Sequence, residues 1–581
     1  MTKYTLQKLE LDKILSACAA YACLQPTKEA LCNLEPSSDL KEVRERLTLT
    51  SECDKLLFKM GAGKVEYFPE VGELLKRASK GSALSCAELL DVNALLRSAR
   101  IAYRSVTAAD DEIIEIKKIA SRIYFDEALE NDITEKILSS EQVSDFASDA
   151  LYSIRSKIKS LNEKIRSTLS EYVSGSSAAY LQEGIVTIRN DRYVVPVKAE
   201  HKSKIKGFVH DRSQSGATFF IEPEYVLNLN NELISLTIDE KEEVERILKA
   251  LSARVGAMRE RLETDIEALV EIDGYFARAE YAYSIKATCP QVNKRGFVSI
   301  IKGRHPLIEK ERVVPVSVEL GKNYSFLLLS GANTGGKTVT LKMAGLFCLM
   351  AECGLFIPAA QGSEVCAFKN VFCDLGDSQS IEDSLSTFSS HMTAVAAICE
   401  NADDDSLVLI DELGGGTNPD EGQAIARAVT EYLLKRGCKG IITTHFTALK
   451  ECAYSLKGIE NAAMQFDSAT LKPLYSIKIG LAGASNALAV SRRLGMNPEI
   501  LAAAESYLSD AGRTYDNILQ RAEESRLEAE KAKRRAEALE TEWAQKTEEA
   551  KKLVASLENE KMRLGAGARA ESRRIINERT A

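Results

Sequence analysis

No two cysteines in this chain stand at C-x-x-C spacing, although thirteen are scattered along its 581 residues. No apolar run reaches the about 20 residues that cross a bilayer, and no basic-then-apolar leader opens the chain. These absences argue against a disulfide framework and predict reduced thiols in a soluble, cytoplasmic protein with no membrane partner. Histidine is scarce as well. His201, His210, His305, His391 and His445 stand apart from the cysteines, which argues against a zinc site of ordinary spacing. Positive charge is not in excess either. With a net charge of −9 the chain does not coat nucleic acid through overall charge, so any such contact needs a local basic surface.

What is present begins as helix. Residues 1–125 read as a helical core with polar breaks at Gln25-Pro26, Glu35 to Ser38 and Gly61 to Gly63. Leu40, Val43, Leu47 and Thr50 recur at helical spacing and lead to Cys53 and Leu56. Residues 126–290 read as a lever. Leu151, Ile154, Ile158, Leu161, Ile165, Leu169 and Tyr172 form a coiled-coil-like seam that ends at Gly175. The period then falls to two in Ile185–Ile188, Tyr193–Val197, Gly207–Val209 and Ala217–Ile221, with turn residues at Asn190-Asp191 and Ser213–Gly216. Helix resumes near Tyr225 and continues to Leu262. A small β module, about 180–223, is thus expected at the turning point of two antiparallel helices. Between Glu183 and Arg212 it carries seven cations (Arg189, Arg192, Lys198, Lys202, Lys204, Lys206, Arg212) against four acids. Residue counts leave two readings, a non-specific phosphate contact or a solvated hairpin.

The second half carries the chemistry. The apolar run Phe326–Leu329 reads as a buried strand and leads into Gly331-Ala332-Asn333-Thr334-Gly335-Gly336-Lys337-Thr338, followed by a helical pattern from Leu341. Strand, glycine loop and helix in this order make a polyphosphate cradle. Backbone N–H groups turn inward, Lys337 reaches the β- and γ-phosphates of ATP, and the Thr338 hydroxyl holds Mg2+. A second apolar strand, Ser406–Ile410, delivers Asp411 toward Mg2+ and Glu412 as a general base for water, 74 residues after Lys337 through a helix-rich segment. A third, Gly440–Thr444, ends in His445, placed to hold water or sense phosphate. The Gly414–Gly422 loop is too polar and glycine-rich for a plain connector. The hydroxyl-rich Asp383–Met392 stretch reads either as an anion site or as ordinary helix capping.

These motifs together resemble a known family. Gly331–Thr338, Leu385–Phe388, Leu409–Glu412 with Gly414–Thr417, and Thr443–Phe446 look like the MutS branch of the ABC-type ATPases. Ile188–Lys198 and Val209–Pro223 resemble the MutS2 subfamily, which lacks mismatch-reading and connector domains. The resemblance covers nearly all of residues 5–510. It implies a multidomain fold: a helical core, a coiled-coil lever with a β clamp, and an α/β P-loop ATPase domain over 291–512. It further implies a homodimer that encloses two ATP molecules, with Ser386 reaching the partner's nucleotide. Its members act on branched DNA, suppressing recombination, or on stalled ribosomes through ribosomal RNA. Small departures occur at Ala332, Gly415, Phe446, Ala482 and Ala484. No Smr nuclease domain is recognised; residues 513–581 read instead as a coiled-coil extension, with Tyr515, Ile518, Ala522, Leu539, Trp543, Leu553 and Leu557 along its seam. The rival readings are an SMC-like or ABC-type chromosome-organising ATPase, a transporter partner, and a structural protein that uses nucleotide only to fix a dimer.

Overall fold

A computed structural model describes residues 2–58, 65–110, 112–331, 336–376, 387–466 and 473–483, most of 488–507 and part of 532–577. The chain divides into two compact units, residues 1–311 with 345–369, and residues 312–344 with 370–581.

The first unit is built on helices. In Leu40–Phe58 the residues Val43, Leu47, Thr50, Cys53 and Leu56 are all buried, as their spacing requires. Cys86–Thr107 opens with a capping box in which the Ser85 hydroxyl accepts from Glu88 N–H and the Glu88 carboxylate accepts from Ser85 N–H, worth about 1 kcal/mol. Gln25-Pro26 does not break a helix; it begins Gln25–Cys32. Proline is tolerated in a first turn because its missing N–H has no intrahelical acceptor there. The core also takes in more than residues 1–125. Ile133, Leu151, Ile247, Leu251, Leu262 and Leu269 share one buried cluster with Leu89 and Leu96.

Buried carboxylates tie these helices together. Glu52 accepts from the N–H groups of Ile114, Glu115 and Ile116 at 2.8–3.1 Å, at the start of Glu115–Ala120. Asp273 does the same for Cys23 and Leu24, at the start of Gln25–Cys32. Exposed helix N-terminal N–H groups carry partial positive charge, so an acid from a neighbouring helix both caps and cross-links. Asp265 accepts from Tyr124 N–H at 2.6 Å, and burial pushes its carboxyl up to about 7.

The segment read as a lever differs from expectation at one point. Asp149–Ser174 and Leu227–Ala257 run antiparallel: Ser148 meets Glu243, Arg155 meets Glu240, and the rings of Tyr172 and Tyr225 lie 5.0 Å apart. The returning helix stops at Met258 instead of running through Leu262, and Arg259–Ser284 begins anew. Beside this break Gly256 lies so close to Ala78 that a Cβ would fall 2.5 Å from its carbonyl oxygen. Between the lever helices sits an antiparallel sheet in the order Thr187–Arg189, Arg192–Lys198, Thr218–Pro223, Gly207–Arg212. Asn190 and Asp191 have φ of 49° and 61°, the left-handed pair that a two-residue hairpin turn demands.

The second unit is organised by a sheet in the order Asn370–Asp374, Ser406–Ile410, Lys439–Thr443, Phe326–Ser330, Ile459–Phe466, Pro473–Ile479. All neighbours are parallel except the last pair. Phe326–Ser330 and Ser406–Ile410 are buried at every position, as befits strands covered on both faces. Gly440 allows the strands to pack around Phe326, since a Cβ there would lie 2.5 Å from that ring. The segment between Lys337 and Asp411, expected to be rich in helix, also contains the strands Glu364–Cys366 and Asn370–Asp374. Of the C-terminal seam, Leu539, Trp543 and Leu557 are helical and exposed, while Tyr515, Ile518, Ala522 and Leu553 lie outside the described residues.

Candidate functional site: a phosphate cradle and a basic tip

Three neighbouring parallel strands end side by side and bring the expected catalytic residues together. Phe326–Ser330 leads to Gly331, Ser406–Ile410 to Asp411 and Glu412, and Lys439–Thr443 to Thr444 and His445. Ligand sites of open parallel sheets lie at such carboxyl ends. Gly331 and Gly336 have φ of 132° and 90°, which only glycine adopts without strain. Ala332, Asn333, Thr334, Gly335 and Ser386 lie outside the described residues.

Lys337 is 2% exposed, and its ammonium donates to the Gly331 carbonyl at 3.1 Å and meets His445 Nε2 at 2.8 Å. Burial pushes its pKa down to about 8, against the opposing pull of Glu412 and Asp411. A bound polyphosphate would favour the charged form of such a buried cation. His445 Nε2 also lies 3.3 Å from Glu412 Oε1; this one nitrogen either accepts from Lys337 or donates to Glu412, and the three side chains form one polar cluster. Glu412 itself has φ of 49°, a strained left-handed turn held by its N–H donating to Thr443 Oγ1 at 2.8 Å.

The Thr338 hydroxyl donates to Asp411 Oδ2 at 2.6 Å, and the Thr443 hydroxyl donates to the other oxygen, Oδ1. A hydroxyl beside a carboxylate is a hard oxygen donor set, which suits Mg2+ over softer metals. Thr338 and Asp411 would hold the ion, directly or through water. When bound it would neutralise charge on the terminal phosphates.

Sequence reasoning missed several supports. Asp374 accepts from Asp411 N–H at 2.8 Å through its carbonyl, while its carboxylate pairs with His391 Nδ1 at 2.9 Å. His391 therefore anchors the helix Thr387–Asn401, which emerges from the hydroxyl-rich stretch. Gly414 approaches Gly422 so closely that a Cβ would lie 2.4 Å from the Gly422 carbonyl oxygen, and Asn418 caps Pro419–Lys435. The glycine loop is thus a compact turn. Behind the cradle, Gly483 N–H donates to Ser330 Oγ at 2.7 Å and its carbonyl accepts from buried Lys450 at 2.8 Å. Gly483, which follows the departing Ala482, is thus packed against the cradle's own strand.

At the lever tip the seven cations separate into classes. Arg192 is engaged: its guanidinium donates to fully buried Glu222 at 2.9 Å and to Asn231 at 2.7 Å, and His210 and Asn230 complete the set around Glu222. Arg189 lies 4.4 Å from the Phe220 ring centroid and pairs with Asp211, while Lys202 and Arg212 lie over Phe219 at 4.6 and 5.3 Å. Lys202, Lys204, Lys206 and Arg212 are exposed, and Lys198 is half-buried.

Comparison with known proteins decides the family. Residues 327–511 match the model of MutS domain V. The whole chain aligns at 43% identity with the endonuclease MutS2 of Clostridium botulinum (strain ATCC 19397 / Type A), covering 74% of that protein. It aligns at 42% with the endonuclease MutS2 of Geobacillus thermodenitrificans, covering 76%, and over 93% of its length at 43% with that of Clostridium acetobutylicum, covering 68%. The chain belongs to the MutS2 family.

As a MutS2 chain it is a MutS-family ATPase, of a family that acts on nucleic acids and works as dimers. The carboxyl ends of the three strands fall inside the domain V match, whereas the tip lies outside it. Among the described residues no helix is long and apolar enough to cross a membrane. All thirteen cysteines are free, and most are buried as small core residues.

Proposed function

We propose that this chain is a homodimeric, Mg2+-dependent ATPase whose closure on ATP drives the lever tip against a nucleic-acid assembly. The reading is carried by one observation, the polar cluster of Lys337, His445 and Glu412 beside the Thr338–Asp411 pair. Lys337 binds the terminal phosphates. Glu412 takes a proton from the attacking water, and His445 holds that water or reports the state of the phosphate. Ser386 of a second copy completes the nucleotide's surroundings, so each site is half of a shared one. The exposed cations at the tip then contact phosphates without reading sequence.

The assembly is either a branched DNA junction, whose recombination is suppressed, or a stalled ribosome, gripped through its RNA and split. The relatives are named endonucleases; over the part of them that this chain spans, we propose ATP turnover as the activity. A Glu412→Gln protein held in the ATP state separates the two targets. Its binding to four-way DNA junctions and to ribosome dimers is compared at one stated salt concentration. Tight binding to the junction with none to ribosomes removes the ribosomal reading, and the converse removes the junction. Binding to neither removes the proposed role.

A further inference from the structure

The two lever helices keep their charges apart. On Asp149–Ser174, the segment 155–170 holds Arg155, Lys157, Lys159, Lys164 and Arg166 against a single acid, Glu163. On Leu227–Ala257, the segment 227–245 holds Glu232, Asp239, Glu240, Glu242, Glu243 and Glu245 against a single cation, Lys241. Antiparallel neighbours of this composition could be laced by ion pairs. Among the described residues one bridge joins the two helices, Arg155 to Glu240 at 2.8 Å. Lys157, Lys159, Lys164 and Arg166 make no ion pair there and are exposed. Exposed Glu232, Asp239, Glu242 and Glu245 are likewise without ion pairs.

At about 3.6 residues per turn, Lys157 and Lys164 form one row and Lys159 and Arg166 another. The buried seam of Leu161, Ile165 and Leu169 lies between these rows on one side. On the other lies a row of exposed Ser153, Ser156, Ser160, Ser167 and Ser170, interrupted by Glu163. Short hydroxyl side chains flanked by long cations let a phosphate backbone approach the helix closely and offer it donors. The track joins the tip directly, because Arg166 lies 5.9 Å from the ring of Tyr193 on the strand Arg192–Lys198.

We propose that the helix Asp149–Ser174 is a phosphate track, along which the nucleic-acid backbone gripped at the tip continues, and that Leu227–Ala257 repels it. The proposal rests on the nucleic-acid role given to the tip. From Lys157 to Arg166 the track is about 13 Å long, the length of roughly eight duplex phosphate charges.

The test uses the full chain with ATP and Mg2+, titrated with a four-way DNA junction and, in parallel, an RNA stem–loop over a range of salt. A track variant carries Lys157→Gln, Lys159→Gln, Lys164→Gln and Arg166→Gln. A tip variant carries Lys202→Gln, Lys204→Gln and Lys206→Gln, and a control carries Glu232→Gln, Asp239→Gln and Glu242→Gln. The track variant is expected to bind about tenfold more weakly or worse, with a salt slope reduced by about 2–4, while ATP turnover without nucleic acid is unchanged. The control should keep or modestly strengthen binding. Which probe shows the effect identifies the backbone as DNA or RNA. Wild-type affinity and slope in the track variant, with losses in the tip variant, overturn the track and leave the tip. No loss in either variant overturns both. An equal loss in the control marks a damaged lever and also overturns the track. Should the fourfold variant lose helicity, Lys157→Gln with Lys164→Gln must still lower the slope by about 1–2, and an unchanged slope there counts against the track.

Discussion

The cradle at Lys337 and the tip at Lys202–Arg212 both present cations that suit phosphate, by opposite means. Lys337 is almost wholly buried, held by named partners, and pushed down to about 8 by its burial. The exposed tip cations Lys202 and Arg212 rest on an aromatic ring, and Lys204 and Lys206 stand in solvent. A buried cation is costly without its ligand and strong with it, so its position must be fixed by the fold. An exposed cation in high dielectric contributes little alone, and several contribute together by releasing counterions. Under the proposed function, the difference separates a site for one ligand from a surface that would hold any backbone.

The sharpest way to break this comparison is at the cradle. Glu412→Gln is expected to lower ATP turnover by roughly 10²–10⁴-fold while nucleotide binding persists, since only the proton acceptor is lost. Phosphate release and nucleotide titration measure the two, and unchanged turnover would remove Glu412 as the base. Lys337→Ala is expected to weaken ATP binding by about 10- to 100-fold, the scale of a buried charged hydrogen bond. A single Lys204→Gln at the tip should change nucleic-acid affinity only a few-fold. Should Lys337→Ala matter no more to ATP than Lys204→Gln does to nucleic acid, the contrast fails.

A smaller effect follows from pH. Lys337 must be charged to hold phosphate, and bound phosphate favours its charged form. Below about pH 8 the free protein already carries that proton, so this group leaves ATP affinity flat. Above it, binding must take up a proton, and affinity should fall by as much as tenfold per pH unit. Nucleotide titrations from pH 7 to 9.5 measure this. Lys337→Arg, whose guanidinium stays charged, should flatten the curve even where it lowers affinity.

What was legible in the sequence follows the same division. The cradle's strand, loop and helix are contiguous, because a backbone cradle for phosphate is itself contiguous, and so the motif reads directly. Thr443 and His391 were not legible. Each meets its carboxylate, Asp411 or Asp374, only because the strands stand side by side in an order that no local pattern states. The break at Met258 has no local signature, because the apolar period runs on to Leu262 and the close approach of Gly256 to Ala78 is tertiary. Nothing local in the sequence marks Glu52, Asp265 and Asp273 as buried, because the N–H groups they accept from lie far away along the chain. At the tip, composition counts cations but does not distinguish an engaged Arg192 from an exposed Lys204.

That last distinction yields the smallest and most local prediction. Glu222 is fully buried, with Arg192, His210 and Asn230 around it. Arg192→Ala removes its fixed cation but leaves two partners, so the cost falls below the about 3–5 kcal/mol of breaking an isolated buried pair. It should be confined to the tip sheet, faster amide exchange appearing in Arg192–Lys198 and Thr218–Pro223 before the rest of the chain. Lys204→Gln should leave exchange unchanged and lower the salt slope of nucleic-acid binding by about 1. The double substitution Arg192→Met with Glu222→Gln, which removes both charges, should recover part of the lost protection, because a buried carboxylate without its cation costs more than no ion pair at all. If Arg192→Ala instead lowers the slope and leaves exchange untouched, Arg192 contacts phosphate, and the tip resembles the cradle more than its exposed lysines suggest.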